Sequence, residues 1–164
     1  MKTLALIIGN DEYYEGHKLG NAVNDATSIK NEFEKLGYDV IFVTNGNSQK
    51  IVELLTEFET RIKDYDSTIF FFAGHGFEQD GENYLAFIEC QIGDPNAYHC
   101  RQTCIQISDL LKIYSNNTNK INILILDACR RGFERGTTIA TSPFRAPKGT
   151  FIAFSTSPND GASD

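Results

Sequence analysis

Leu4-Ala5-Leu6-Ile7-Ile8 is apolar at every position, and a run of that kind belongs to a strand covered on both faces. Similar short runs recur at Asp39 to Val43, Thr68 to Ala73, Ile121 to Leu126 and Thr150 to Phe154. Helical patterns separate them. From Asn21 to Gly37, the residues Ala22, Ala26, Ile29, Phe33 and Leu36 fall on one face of a helix that Gly37 stops. Ser48 is the expected N-cap of a second helix carrying Ile51, Leu54, Leu55, Phe58 and Ile62 on one side. A short strand is expected around Tyr84 to Ile88, then an irregular polar loop, then a helix near Ser108 to Tyr114. Strands and helices alternating at this spacing make an α/β fold, a mostly parallel sheet with helices on both faces.

With 164 residues the chain has room for one such domain. Its most apolar run, Thr68 to Ala73, is far short of the ~20 residues that cross a bilayer. Met1 to Ile8 has one lysine and no small-residue cleavage site, so it reads as the first strand and the cytoplasm is the expected compartment. There, Cys90, Cys100, Cys104 and Cys129 are expected as thiols. Fifteen basic against 22 acidic side chains give a net charge of −7, which argues against nucleic acid as a partner. Arg130 to Lys148 breaks the pattern: it is basic, contains Gly132, Gly136, Pro143 and Pro147, and reads as a long exposed loop. Because the chain stops at Asp164, just past the last apolar run, a further C-terminal piece is expected.

In a parallel sheet the functional crevice forms at the carboxyl ends of the strands. Two of those ends carry reactive side chains here. The third run leads into Gly74-His75-Gly76-Phe77 and the fourth into Asp127-Ala128-Cys129-Arg130. An imidazole and a thiol on neighbouring strands can act together, the imidazole helping to form the thiolate and later protonating a departing amine. Glycines beside His75 admit a substrate backbone, and the amides of Gly76 and Cys129 are candidates to hold an oxyanion. A buried cysteine alone is more often a small core residue. The ordered pair, about 50 residues apart, carries the argument.

Ala73-Gly74-His75-Gly76 together with Leu126-Asp127-Ala128-Cys129-Arg130 resembles the caspase-fold cysteine peptidases, and the paracaspase and metacaspase branch more than the caspases proper. Leu6 to Tyr14, Leu19 through Asn24-Asp25-Ala26, and Phe151 to Pro158 extend the likeness over nearly the whole chain. The resemblance implies a three-layer α/β/α domain with Cys129 as nucleophile and His75 as its partner. It further implies a large-subunit-like part at 1–129, a processing loop at 130–148 and the start of a small-subunit-like part at 149–164. Asp25 and Asp127 match the acids of the family's pocket for basic side chains. Two carboxylates at one pocket floor pair with arginine or lysine and disfavour aspartate. Caspases proper carry glutamine two residues before the cysteine, where this chain has Asp127. A third pocket acid is sought at Asp160 or Asp164.

The expected function is therefore a cysteine endopeptidase that cleaves proteins or peptides after arginine or lysine and processes itself after Arg135 or Arg145. The alternative is a catalytically idle scaffold of the same fold that regulates a partner protein. No cofactor is required. Calcium activation, common in the metacaspase branch, would fall to Asp11, Glu12, Glu15, Glu78, Asp80 and Glu82, which lack EF-hand order and read as a solvated face. Cys90, His99, Cys100 and Cys104 lack a CxxC pair and are not expected to bind zinc. His17 is given no role. Gly9-Asn10-Asp11 is not followed by a phosphate-loop pattern.

Overall fold

A computed structural model describes residues 1–14, 16–79, 81–92, 96–116, 120–129 and 146–154. The elements run β1 (Thr3–Gly9), α1 (Ala22–Lys35), β2 (Asp39–Thr44), α2 (Ser48–Arg61), a 3-10 turn (Ile62–Asp64), β3 (Ser67–Gln79), β4 (Glu82–Ala86), α3 (Ala97–Thr103), β5 (Cys104–Gln106), α4 (Ile107–Ser115), β6 (Ile121–Cys129) and β7 (Thr150–Phe154). Five strands form a parallel sheet in the order β2, β1, β3, β6, β7. The C-terminal part of β3 adds β4 and then β5 as antiparallel neighbours.

Alternation along the buried strands assigns their side chains to two layers. Leu4, Leu6 and Ile8 of β1 and Phe70 and Phe72 of β3 face α2 and α4, which supply Ile51, Phe58, Leu110 and Tyr114. The intervening residues Ala5, Ile7, Ile69, Phe71 and Ala73 face the opposite way, toward Ala22 and Ala26 of α1. This is the α/β/α architecture expected from the apolar runs. Each large side chain buried there contributes about 1.5–3 kcal/mol. Beneath α4, the Thr68 hydroxyl donates to Asn122 Oδ1 at 2.8 Å, a buried bond that ties β3 to β6. Among the described residues no helix is long and apolar enough to cross a membrane.

Local differences from the sequence reading have identifiable causes. The N-cap of α2 is Asn47, whose side chain accepts from the Lys50 amide at 2.9 Å. Ser48 is instead the first helical residue, and its amide and hydroxyl both turn to Glu89. The segment expected as an irregular loop contains α3 and β5. Both are too short to show a period, and β5 forms because β4 offers it an edge at Tyr84, Leu85 and Ala86. The strand expected at Tyr84 to Ile88 ends at Ala86; the chain then turns, with the Cys90 amide donating to the Phe87 carbonyl at 3.0 Å.

Candidate active site

Gly74-His75-Gly76 was expected as a loop at the end of a strand, but it lies inside the 13-residue β3. The reason is a change of partner. Up to Ala73, β3 pairs with β1, which ends at Gly9; from Gly76 onward β4 takes over on that side, antiparallel. On its other side β3 stays paired with β6 through the end of that strand. The register runs Ala73 with Asp127, Gly74 with Ala128, and His75 with Cys129. Parallel neighbours lie about 4.8 Å apart, so the backbones of His75 and Cys129 adjoin at the carboxyl edge of the sheet. Their juxtaposition follows from β6 running to Cys129, three residues beyond the apolar run that marks it in the sequence.

His75 is held from several directions. Its backbone amide donates to the Tyr13 hydroxyl at 3.0 Å, and that hydroxyl donates onward to the Ala86 carbonyl of β4 at 3.2 Å. The Tyr13 ring meets the imidazole edge-on, with centroids 4.6 Å apart. Burial pushes the Tyr13 phenol far above its ordinary range, so it stays a neutral donor. His75 Nε2 lies 2.7 Å from the carbonyl oxygen of His17. A carbonyl can only accept, so Nε2 carries a hydrogen, which in a neutral imidazole leaves the lone pair on Nδ1. His17, given no role from its side chain, thus contributes through its main chain. Neither Tyr13 nor the His17 carbonyl was singled out from sequence. Tyr13 lies within the N-terminal motif Leu6 to Tyr14, but nothing local shows where its hydroxyl goes.

Two glycines are required by close approach. A Cβ on Gly74 would lie 2.5 Å from the Tyr13 hydroxyl, and one on Gly76 would lie 2.9 Å from the Cβ of Ala128. Gly76 is buried opposite Leu85 of β4.

Asp25 stands in the first turn of α1, exposed, and Asp127 is half-buried on β6. Tight packing of α1 over β1 brings them near each other. A Cβ on Gly9 would meet the Ala26 Cβ at 2.5 Å, so this crossing depends on glycine. The Asp25 carboxyl is held above its ordinary pKa, first by loss of solvent and second by the negative charge of Asp127. Two acids about a hundred residues apart in the chain therefore sense one another at the edge that carries His75 and Cys129.

The other polar candidates are engaged otherwise. Asn10 is fully buried, accepting from the Gly46 amide at 3.0 Å and donating to the Ala86 carbonyl at 3.1 Å. Asn45, with φ at 49°, accepts from the amides of Asp11 and Glu12. Glu12 pairs with Lys18, and Glu78 accepts from the Gly81 amide at 2.6 Å. His99 Nε2 accepts from the Gln91 amide at 2.9 Å. Among the described residues no group of three or more His, Cys, Asp or Glu is arranged to hold a metal ion. Glu15, Asp80, Arg135, Arg145, Asp160 and Asp164 lie outside the described residues.

A family model for the caspase domain matches residues 2–164. The human mucosa-associated lymphoid tissue lymphoma translocation protein 1 and its mouse homolog are each 25% identical over 136 residues, 83% of this chain. The chain spans 16% of the length of these curated relatives. Among solved structures, the Drosophila initiator caspase Dronc aligns with a TM-score of 0.63 at 13% identity, over 93% of this chain and 54% of that one. That likeness is one of fold.

Proposed function

The chain belongs to the caspase-domain family, and on that premise we propose that it is a cysteine endopeptidase with a Cys129–His75 dyad that cleaves after arginine or lysine. The observation that carries the reading is the register of His75 opposite Cys129, at the edge where Asp25 senses the charge of Asp127. In the proposed reaction Nδ1 of His75 takes the thiol proton of Cys129, and the thiolate adds to the carbonyl of the scissile bond. The amides of Gly76 and Cys129 receive the oxyanion as the tetrahedral intermediate forms. His75 then protonates the departing amine, leaving an acyl-enzyme. Water, deprotonated by the same nitrogen, hydrolyses the thioester and restores the thiol. The His17 carbonyl supports the step in which the imidazole carries charge, because it already accepts from Nε2.

Specificity follows from Asp25 and Asp127. The Asp25 carboxyl, raised by loss of solvent and by the charge of Asp127, is relieved by a bound cation, and a guanidinium or ammonium side chain provides one. An aspartate side chain would add a third negative charge. The large-subunit-like part would end at Cys129, with the 130–148 loop carrying the self-cleavage sites and 149–164 beginning the small-subunit-like part. The expected setting is the cytoplasm, and no cofactor takes part in the chemistry as proposed.

The test is hydrolysis of a peptide panel that varies only the residue before the scissile bond, run with and without calcium, alongside labelling by a thiol-reactive peptide probe. Turnover confined to arginine and lysine peptides, with the probe on Cys129, is the expected result. Preference for aspartate would place the chain with the caspases proper. No turnover and no labelling would favour the idle scaffold.

A further inference from the structure

Tyr13 is embedded in a small buried cluster that also contains Phe77, Tyr84 and three cysteines, Cys90, Cys100 and Cys104. The thiols come from separate pieces of chain: the turn after β4, the helix α3 and the first residue of β5. Cys90 and Cys100 are fully buried and Cys104 is 6% exposed. Cys104 donates its S–H to Cys90 Sγ at 3.3 Å, and Cys100 adjoins Cys104. None of the three enters the proposed peptidase reaction.

The Cys90 and Cys104 sulfurs are already in contact, and the backbone holds them there. Cys104 is in register with Ala86, the Phe87 amide donates to the Thr103 carbonyl at 2.9 Å, and the Cys90 amide donates to the Phe87 carbonyl. A disulfide bond is about 2.05 Å long, so closing it asks for a relative movement of little more than 1 Å. We propose that Cys90 and Cys104 form an oxidation site, a dithiol that hydrogen peroxide converts reversibly to a disulfide. The S–H donation from Cys104 favours the thiolate of Cys90 and lowers its pKa, whereas burial raises that of Cys104, so Cys90 is the first nucleophile. Its thiolate attacks one peroxide oxygen and the O–O bond breaks, giving a sulfenic acid and, after proton uptake, one water. The Cys104 sulfur then attacks the sulfenyl sulfur of Cys90. The S–S bond forms, the S–O bond breaks, and the second thiol proton leaves with the oxygen as water. Two electrons pass from the pair of thiols to the peroxide, and a dithiol reductant reverses the change. The bond ties the turn after β4 to β5 within the pocket that seats Tyr13.

The experiment treats the full chain and its Cys129→Ala variant with hydrogen peroxide, removes the oxidant, alkylates under denaturing conditions, and maps the unreduced digest by mass spectrometry. Expected are a loss of 2 Da, a crosslinked peptide pair joining Cys90 to Cys104, full reversal by dithiothreitol, and an unfolding midpoint raised by roughly 5–10 °C. Cys104→Ser should abolish the mass loss, and Cys100→Ser should retain it. Complete alkylation of Cys90 and Cys104, separate sulfinic acids on the two, or a crosslink running to Cys100 would each overturn the proposal. The map in the Cys129→Ala variant decides the matter even if a serine variant does not fold.

Discussion

At the residue scale the site divides into side chains proposed to react and groups that hold them. Cys129→Ala should lower kcat/KM by on the order of 10⁴ or more while leaving the unfolding transition in place, which activity assays and circular dichroism together would check. Loss of fold would instead make Cys129 structural. Tyr13 belongs to the holding groups. Tyr13→Phe keeps the ring against His75 but leaves the His75 amide and the Ala86 carbonyl without their shared hydroxyl. We expect about 1–3 kcal/mol lower stability, a kcat lowered by roughly tenfold with KM unchanged, and a displaced pH–rate profile. A merely structural tyrosine would leave that profile where it was. Asp25 works against stability. Because the folded-state pKa of Asp25 is raised, the native chain holds its proton to higher pH than the unfolded chain does, and stability falls as pH rises through that interval. Asp25→Asn should therefore raise the unfolding midpoint at neutral pH and weaken the preference for arginine and lysine. Asp127→Asn should cost on the order of 2–5 kcal/mol in kcat/KM for the same substrates. A lowered midpoint in Asp25→Asn would contradict the raised pKa, from lost solvent and the charge of Asp127, on which this rests.

Elements were legible in the sequence in proportion to how much apolar surface they bury. The parallel strands and the helices α1, α2 and α4 show themselves because one or both of their faces enter the core. The segment holding α3 and β5 does not, since its order comes from pairing with β4 and from packing Cys100 and Cys104 against Tyr13, Phe77, Tyr84 and Cys90, which lie outside its own pattern. The extent of β3 was hidden for a related reason: glycines read as a turn, although here Gly76 lets β3 and β6 approach closely and Gly74 leaves room for the Tyr13 hydroxyl. His75 and Cys129 could be picked out because their strands can be. The nearness of Asp25 to Asp127 could not be read from spacing, because it depends on how closely α1 sits over Gly9. Gly76→Ala tests the packing claim. A methyl at 2.9 Å from the Ala128 Cβ pushes the last residues of β6 away from β3, so activity should fall by more than tenfold with a stability loss below about 3 kcal/mol. Phe58→Ala, in the fully buried seam of α2, should do the reverse, costing about 3–5 kcal/mol while kcat of the remaining folded protein is unchanged.

On the scale of the whole molecule, three layers present one edge at which chain segments far apart in sequence meet: the stretch after β1, the start of α1, the middle of β3 and the end of β6. The layers are legible through periodicity and the candidate pair through its ordered motif, whereas the supporting contacts exist only in three dimensions. The pairing of β6 with β3 also fixes an order of events in the life of the chain. β1, β2 and β3 follow one another closely and can associate as soon as they have been synthesised, with α1 and α2 between them to cover the two faces. β6 arrives only after β4, α3, β5 and α4, and its pairing must close a long loop before any contact rewards it. On the ribosome, then, the imidazole is placed well before the thiol that would answer it. A nascent chain of this design brings the backbones of His75 and Cys129 together only once most of its own core exists, so the proposed peptidase would gain its dyad late, by topology alone.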